Sequence, residues 1–326
     1  MNSGSHKDCI RAIYATMLKI RLFEERIVAL YPQQEIRTPV HLCLGQEAPA
    51  AAVCAHLTKE DYVFTTHRCH GHCIAKGMAT DAMMAELYGK RTGSCRGKGG
   101  SMHLADPSVG IFATSAIVGG GIPLAVGAAL SIKFRKEKRV AVAFFGDGAT
   151  DEGVFYESLN FAALKKLRVL FVCENNFYAT NSSQKARQPL DNIFKRGKIF
   201  GIPGFRCDGN DALKIWELSG RLLKKVREGK GPFLLECRTY RWKSHVGPDC
   251  DAEKGYRPKH EVDIWIRRCP LKRIEAYCLK KNILTQQQIV NLHSLIQKEI
   301  EVAVRFAKNS PFPEKEDVYR NVYYED

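Results

Sequence analysis

Hydrophobic side chains follow two different periods along this chain. Near the start they recur every three or four residues, the period of an amphipathic helix, at Ile10, Ile13, Met17, Ile20, Phe23, Ile27 and Leu30. Short continuous apolar runs, which are typical of buried strands, lie farther on, within 61–66, 139–145, 168–173 and 232–237. Helical spacing lies between and after these runs, within 48–57, 81–88, 119–135, 151–166, 211–228 and 271–307.

The order of these elements predicts the fold class. Strands that alternate with helices form α/β folds, in which a parallel sheet has helices on both faces. We therefore expect one α/β domain over residues 1–326, with a helical extension at 1–40 and a helical tail at 260–326. A chain of 326 residues, 45% of them hydrophobic, is long enough to bury one large core.

The apolar runs at 139–145 and 168–173 enclose a helix, so they predict one strand, helix, strand unit. The first run ends in Gly146-Asp147-Gly148, and the second is followed by Asn175-Asn176. Strands joined in this way are parallel, so both carboxyl ends lie at the same edge of the sheet. Ligands of open α/β sheets bind at that edge.

The residues at these two strand ends suit a metal ion with a phosphate ligand. Mg²⁺ prefers oxygen ligands and is usually held by one or two carboxylates together with phosphate oxygens. Asp147 offers a carboxylate and Asn176 an amide oxygen. Gly146 and Gly148 leave the backbone open to a diphosphate, and the next helix directs its N-terminal amides toward it. Gly-Asp-Gly alone is more often an ordinary tight turn, so the prediction depends on the second strand end.

Composition excludes some classes of protein. No run of 18 apolar residues exists, and the first eight residues lack the apolar core of a signal peptide and the pattern of a transit peptide. The 12 cysteines are scattered singly, as expected of reduced thiols in a cytoplasmic protein without a disulfide framework. The net charge of +15 comes from separate basic runs without a basic-aromatic motif, so we expect neither nucleic acid nor membrane as a partner. An acidic partner protein would be consistent with this charge.

The segment His67-Arg-Cys-His-Gly-His-Cys73 contains three histidines and two cysteines, as a zinc site would. Structural zinc sites generally need a second pair of ligands at a distance, which this segment does not supply. We therefore expect no zinc site from this segment alone.

Several motifs together resemble one known family. Gly146-Asp147-Gly148 with Asn175-Asn176 is similar to the signature of thiamine diphosphate enzymes. Four more segments resemble, in order and spacing, the alpha subunit of the decarboxylating first component of 2-oxo acid dehydrogenase complexes: His41-Leu-Cys-Leu-Gly-Gln-Glu47, Lys98-Gly-Gly-Ser-Met-His103, Glu174-Asn-Asn-Phe-Tyr178 and Thr239-Tyr-Arg-Trp-Lys-Ser-His245. The resemblance spans about residues 22–306 and is greater to the pyruvate and acetoin branch than to the branched-chain branch. It implies the thiamine diphosphate-binding fold of the transketolase-like diphosphate domain.

The resemblance implies roles for individual residues in binding thiamine diphosphate and Mg²⁺. Asp147, Asn176 and the backbone carbonyl of Tyr178 would hold the metal. The diphosphate would lie against residues from two segments, His67 and Arg68 in one and Gly146, Gly148 and Ala149 in the other. Relatives usually have Tyr-Arg where this chain has His67-Arg68, so the role of His67 stays open, whereas Arg68 should reach the diphosphate.

The same resemblance places Ala116 and Val118 beside the aminopyrimidine of the cofactor and makes His245 the catalytic histidine, which also contacts the cofactor. A histidine that opens a loop rich in Gly, Pro and Asp is unusual for a core position. Val246 stands where many eukaryotic relatives have a regulatory serine, so we expect no control by phosphorylation there.

The loop at 246–257 should be ordered by the cofactor. Asp249 and Arg257 match loop-stabilising positions of the family, although a solvated loop charge would explain either residue equally well.

The implied reaction is oxidative decarboxylation of a 2-oxo acid, most readily pyruvate, with transfer of the acyl group to the lipoyl group of an acyltransferase. In this family a beta subunit completes the site, so the resemblance implies an alpha2beta2 heterotetramer. The alternatives are an acetoin dehydrogenase alpha subunit, a thiamine-dependent acyl transfer in a biosynthetic pathway and a non-catalytic paralogue. The intact Asp147, Asn176 and His245 count against the non-catalytic paralogue.

Overall fold

The computed structural model describes residues 3–320 and residue 322, so both ends of the predicted 1–326 domain lie outside the described residues. The described strands are β1 (Tyr62–Thr66), β2 (Ile111–Ser115), β3 (Ala141–Gly146), β4 (Val169–Asn175), β5 (Tyr178–Ala179), β6 (Ser182–Ser183), β7 (Gly204–Asp208) and β8 (Phe233–Arg238). Six of them form one sheet in the order β2-β1-β3-β4-β8-β7, and every pair in it is parallel. Strands β5 and β6 form a separate antiparallel hairpin.

Eleven α-helices accompany the strands within the described residues. They are α1 (Ser3–Leu30), α2 (Glu47–Cys54), α3 (His70–Lys76), α4 (Thr80–Leu87), α5 (Gly121–Phe134), α6 (Gly153–Leu164), α7 (Gln184–Arg187), α8 (Ala212–Arg227), α9 (Lys259–Arg267), α10 (Pro270–Lys280) and α11 (Gln286–Asn309). No helix in the described part of the chain is long and apolar enough to cross a membrane.

The two faces of the sheet pack against different helices. Successive side chains of a strand point to opposite faces. On β3, Val142 and Phe144 therefore pack into a core with α1, α2, α8 and α11. Ala143 and Phe145 of the same strand pack into a second core with α5 and α6. The predicted parallel α/β sheet with helices on both faces is thus confirmed.

The N-terminal and C-terminal helices pack together behind the first core. Helix α1 contacts both α10 and α11. Two ion pairs join α1 to α11, Lys19 with Glu299 at 2.8 Å and Arg26 with Glu301 at 2.7 Å. These contacts support our proposal that both predicted extensions belong to a single domain.

The unit that carries the predicted metal site forms as expected. Strands β3 and β4 are parallel neighbours with α6 between them in sequence, and Gly146 lies opposite Glu174 in the register. Every residue of β4 is buried, which explains its continuous apolar run. The carboxyl ends of both strands therefore meet at one edge of the sheet.

Candidate active site at the carboxyl edge of the sheet

A single cleft at the carboxyl edge of β3 and β4 contains nearly all the predicted site residues. The predicted residues that line it are His67, Arg68, Val118, Gly146, Asp147, Gly148, Ala149, Asn176, Tyr178 and His245. Ala116 does not line the cleft, although both of its neighbours, Ser115 and Ile117, do. The structure therefore brings all the predicted site residues except Ala116 to one cleft, and their roles stay a prediction.

Asp147 is the buried carboxylate of this cleft. It follows β3 directly and is only 1% exposed. Burial raises the pKa of its carboxyl above the ordinary value, and the neighbouring guanidinium of Arg187 opposes that rise. Arg187, at the end of α7, forms ion pairs with both Asp147 and Asp151. Arg187 is therefore the cation beside Asp147 in this structure.

Asn176 lines the same cleft as Asp147 and is held by its neighbours. Its amide nitrogen donates to the side-chain oxygen of Gln46 at 3.0 Å, and its side-chain oxygen accepts from the backbone N–H of Tyr178 at 3.2 Å. Asn175 has a structural role instead, because its amide donates to Glu236 at 2.8 Å and to Gln184 at 3.0 Å. The two asparagines thus divide into one that faces the cleft and one that faces the core.

The absence of a side chain has a different consequence at each of the two glycines in the Gly-Asp-Gly turn. A Cβ atom added to Gly146 would meet no atom within 4 Å, so the backbone there borders open space in the cleft. A Cβ atom added to Gly148 would lie 2.8 Å from the Cβ of Ala179, so Gly148 lets the β5 hairpin approach. Gly146 therefore leaves room for an anion, whereas Gly148 is required by packing.

These groups fit a metal ion that carries a diphosphate. A buried carboxylate and an amide oxygen face the same space, and both are oxygen ligands that Mg²⁺ accepts. Open backbone at Gly146 and the buried guanidinium of Arg68 lie beside them. Burial, together with the positive charge of Arg241, lowers the pKa of Arg68 to about 10, so its guanidinium remains charged at neutral pH.

His245 also lines the cleft and belongs to a group of three imidazoles. Its ring centroid is 5.2 Å from that of His67 and 5.0 Å from that of His41. Arg68 holds the segment in place, because its guanidinium donates to the carbonyl oxygen of Leu42 at 2.7 Å and to that of His245 at 3.4 Å. Burial, followed by the positive charge of Arg68, lowers the pKa of His245 to about 4.

The loop after His245 is fixed by a buried acid that the sequence did not indicate. Asp251 forms ion pairs with Arg241 at 2.6 Å and with Arg257 at 3.1 Å, and all three side chains are almost wholly buried. Arg257 also donates to the carbonyl oxygens of Arg241 and Lys243. Of the two loop-stabilising candidates, Arg257 thus belongs to the buried ion-pair group around Asp251, whereas the exposed carboxylate of Asp249 pairs with Lys254.

The cysteine and histidine segment at 67–73 does not gather into a zinc site. His70 bonds to Glu24 at 3.1 Å and to Ser101 at 2.8 Å, and all three side chains are buried. His72 contacts Thr65 at 2.9 Å. Helix α3 therefore turns His70 and His72 inward, and His67 is the one histidine of this segment that lines the cleft.

Three residues that contact predicted site residues were absent from the site predicted from sequence. Gln46 and Arg187 contact the two metal-ligand candidates directly, and His41 joins the imidazole group. Gln46 and His41 lie in the resembling segment at 41–47, which was a usable signal. Arg187 lies in no motif, and only the fold brings it to Asp147.

Comparison with known proteins agrees with the geometry. Residues 15–316 match the sequence family described as "Dehydrogenase E1 component". An alpha subunit of acetoin:2,6-dichlorophenolindophenol oxidoreductase from Bacillus subtilis is 40% identical over 312 residues, which are 95% of this chain and 92% of that protein. The protein of the same name from Cupriavidus necator is 41% identical over 318 residues, 97% of this chain and 95% of that protein.

A relative with a different name is similar over the same length. The alpha subunit of the pyruvate dehydrogenase E1 component from Porphyra purpurea is 35% identical over 330 residues, which cover 99% of this chain and 94% of that protein. The family predicted from the motifs is thus confirmed. This chain belongs to the dehydrogenase E1 component family, oxidoreductases that use thiamine diphosphate with a metal ion.

Proposed function

We propose that this chain is the alpha subunit of a thiamine diphosphate-dependent 2-oxo acid dehydrogenase that acts on pyruvate and passes the acyl group to a lipoyl-bearing acyltransferase. The observation that carries the proposal is the meeting of Asp147, Asn176 and His245 in one cleft. A carboxylate and an amide suited to Mg²⁺ and a neutral imidazole suited to proton transfer are the groups that this chemistry requires.

In this proposal, Asp147, Asn176 and the carbonyl of Tyr178 hold Mg²⁺. The diphosphate lies between Arg68 and the turn that begins at Gly146, and the remaining cofactor contacts come from His67, Val118, Gly148, Ala149 and the backbone near Ala116. When bound, thiamine diphosphate supplies a carbon nucleophile and accepts the electrons released as CO2 leaves. The chain's own residues fix the charged end of the cofactor and exchange protons with the substrate.

His245 is the proposed catalytic residue. Its lowered pKa, about 4, keeps the imidazole neutral at physiological pH, so it can accept a proton at a ring nitrogen and later return it. The backbone on either side is fixed, because Ser244 donates to the carbonyl oxygen of Asp249 at 2.9 Å and Gly247 donates to that of Val40 at 2.8 Å. The ring therefore has a defined position beside the cleft.

A beta subunit is the expected partner, because the relatives are alpha subunits by name. The cleft has a volume of about 120 Å³, below the roughly 300 to 1,000 Å³ of pockets that enclose a whole small molecule. Ile117, Val118 and Val246 lie at or beside its mouth and are 75%, 49% and 46% exposed. We infer that the beta subunit covers these apolar side chains and completes the site in an alpha2beta2 heterotetramer.

Acetoin is the second candidate substrate. It is favoured by the two acetoin oxidoreductase alpha subunits, which are 40% and 41% identical to this chain. The test is to express the chain with its beta subunit and to measure oxidation of pyruvate, acetoin and 2-oxoisovalerate with an artificial electron acceptor. Turnover of pyruvate supports the proposal, turnover of acetoin alone replaces the substrate, and no turnover by a cofactor-loaded heterotetramer contradicts it.

A further inference from the structure

Two free thiols face each other across the last two strands of the sheet. Cys207 lies on the edge strand β7 and Cys237 on its neighbour β8, and the register pairs the two residues directly. Their sulfur atoms are 3.7 Å apart, within reach of a weak hydrogen bond between thiols. The two residues are 30 positions apart in the sequence, so the pairing of the strands, and not a short cysteine motif, brings them together.

The spacing of the backbone at this pair suits a disulfide. Neighbouring strands lie about 4.8 Å apart, and disulfides join residues whose Cα atoms are about 4.4 to 6.8 Å apart. Bonded sulfur atoms are about 2.05 Å apart, so the present gap of 3.7 Å must close by about 1.7 Å. Rotation of the two side chains about their Cα–Cβ bonds covers this distance, and the register of the strands need not change.

The two thiols differ in their access to solvent. Cys237 is wholly buried, whereas Cys207 is partly exposed and lines a cavity of about 640 Å³ beside β7 and α8. Among the described residues, this cavity and the cleft of the candidate active site have no lining residue in common. A hydrogen bond with Cys207, followed by burial, raises the pKa of Cys237 well above its ordinary value. Cys207 is therefore the thiol that meets a reagent first.

We propose that Cys207 and Cys237 form a reversible redox pair, which hydrogen peroxide converts from two thiols into a disulfide. The sulfur of Cys207 attacks one oxygen of the peroxide, the O–O bond breaks, and a sulfenic acid and one water are formed. The sulfur of Cys237 then attacks the sulfur of the sulfenic acid, whose hydroxyl group leaves as a second water. The thiols lose two electrons and two protons, which reduce one peroxide to two waters. Exchange with an added thiol restores the reduced pair.

A second pair of neighbouring thiols separates access from proximity. Cys69 and Cys73 form a hydrogen bond at the start of α3, and both are 0% exposed. Neither residue lines the cavity beside β7. If proximity alone were sufficient, peroxide would oxidise both pairs. If access through the cavity decides, only the pair on β7 and β8 is oxidised.

The test is peptide mapping of the chain assembled with its beta subunit, before and after treatment with hydrogen peroxide. Remaining thiols are alkylated with N-ethylmaleimide under denaturing conditions. Cleavage after Lys and Arg releases residues 207–214 and 231–238 as separate peptides, so the disulfide appears as a linked pair of these peptides. We expect this linked pair, a loss of two alkylated thiols per chain, and recovery of both with dithiothreitol. The peptide at 69–76 should keep both of its cysteines alkylated.

Two variants separate the two steps of the reaction. In Cys207→Ser, Cys237 should stay reduced and become alkylated, and in Cys237→Ser the sulfenic acid at Cys207 should accumulate and be trapped by dimedone. Cys9→Ser, which changes a partly exposed cysteine on α1, should behave like the parent. Absence of the linked peptides from the parent, or equal oxidation of Cys69 and Cys73, would overturn the proposal even where a variant fails to assemble. The mapping needs no turnover, so its outcome is independent of the function proposed above.

Discussion

Replacing Arg187 by Gln should make the binding of metal and cofactor tighter while it destabilises the free protein. In the structure Arg187 is the cation beside the buried Asp147, and it also pairs with Asp151. Mg²⁺ would approach the same carboxylate, so the guanidinium and the metal compete for it. Removal of Arg187 leaves Asp147 without a cation until the metal arrives.

The magnitude follows from the burial of the pair. Asp147 and Arg187 have side chains that are 1% and 17% exposed. Loss of one partner of a buried ion pair costs about 3 to 5 kcal/mol, and the partial exposure of Arg187 favours the lower end, about 3 kcal/mol. If bound Mg²⁺ restores about 2 kcal/mol of this, linkage requires that the cofactor with Mg²⁺ binds about 30-fold more tightly to the variant.

The assay is calorimetric titration of thiamine diphosphate with Mg²⁺ into the heterotetramer, paired with thermal unfolding with and without these ligands. Arg206→Gln is the matched control, because Arg206 pairs with the buried Glu236 at 3.0 Å away from the cleft. The control should lose stability equally with and without ligands. Equal cofactor affinity in Arg187→Gln and the parent would refute the competition between Arg187 and the metal.

Three further predictions follow from the site and the core. Asp147→Asn should abolish Mg²⁺-dependent binding of thiamine diphosphate in the same titration, and unchanged affinity would contradict the metal assignment. His245→Ala should lower kcat about 100-fold, as expected for loss of a general acid–base group, with less than a tenfold change in cofactor affinity; an unaltered kcat would remove His245 from catalysis. Arg227→Gln should lower the free energy of unfolding by about 2 kcal/mol at pH 7, because Arg227 pairs with the buried Asp61 at 2.8 Å and is partly exposed. Although burial raises the pKa of Asp61, hydrogen bonds from Arg227 and backbone amides lower it overall, so this stabilisation is present above the ordinary pKa near 3.8 and is lost as the pH falls through the pKa of the folded state. Denaturant unfolding at pH 7 and pH 3 should therefore show a smaller difference in unfolding free energy between the parent and Arg227→Gln at pH 3. An equal difference at both pH values would contradict the assignment.

The central strands were predictable because they are buried on both faces. Strand β4 is buried at every position, so its apolar run is continuous and bounded by polar residues. The edge strands β2 and β7 were missed. They are only partly buried, and β7 contains Arg206 and Asp208, so neither strand has a continuous apolar run.

The site was predictable where it follows the strands and not where it depends on loop packing. Asp147 and Asn176 follow neighbouring parallel strands, and this register alone brings them together. Arg187 and Asp251 reach their partners across loops, where sequence spacing fixes no distance. Their contacts depend on the burial of charge, which only the folded chain determines.

The proximity of His41, His67 and His245 could not be predicted from the sequence, because it too depends on loop packing. Their positions at 41, 67 and 245 show no metal-ligand spacing, whereas the conspicuous histidines at 70 and 72 are satisfied inside the core.

The most direct test of the account is calorimetric titration of thiamine diphosphate with Mg²⁺ into this chain assembled with its beta subunit, followed by an activity assay with pyruvate, acetoin and 2-oxoisovalerate. The account predicts Mg²⁺-dependent binding at one site per alpha chain and turnover of pyruvate, or of acetoin as the second candidate. Absence of binding in a correctly formed heterotetramer would contradict it, because Asp147, Asn176 and Gly146 would then have no cofactor to hold.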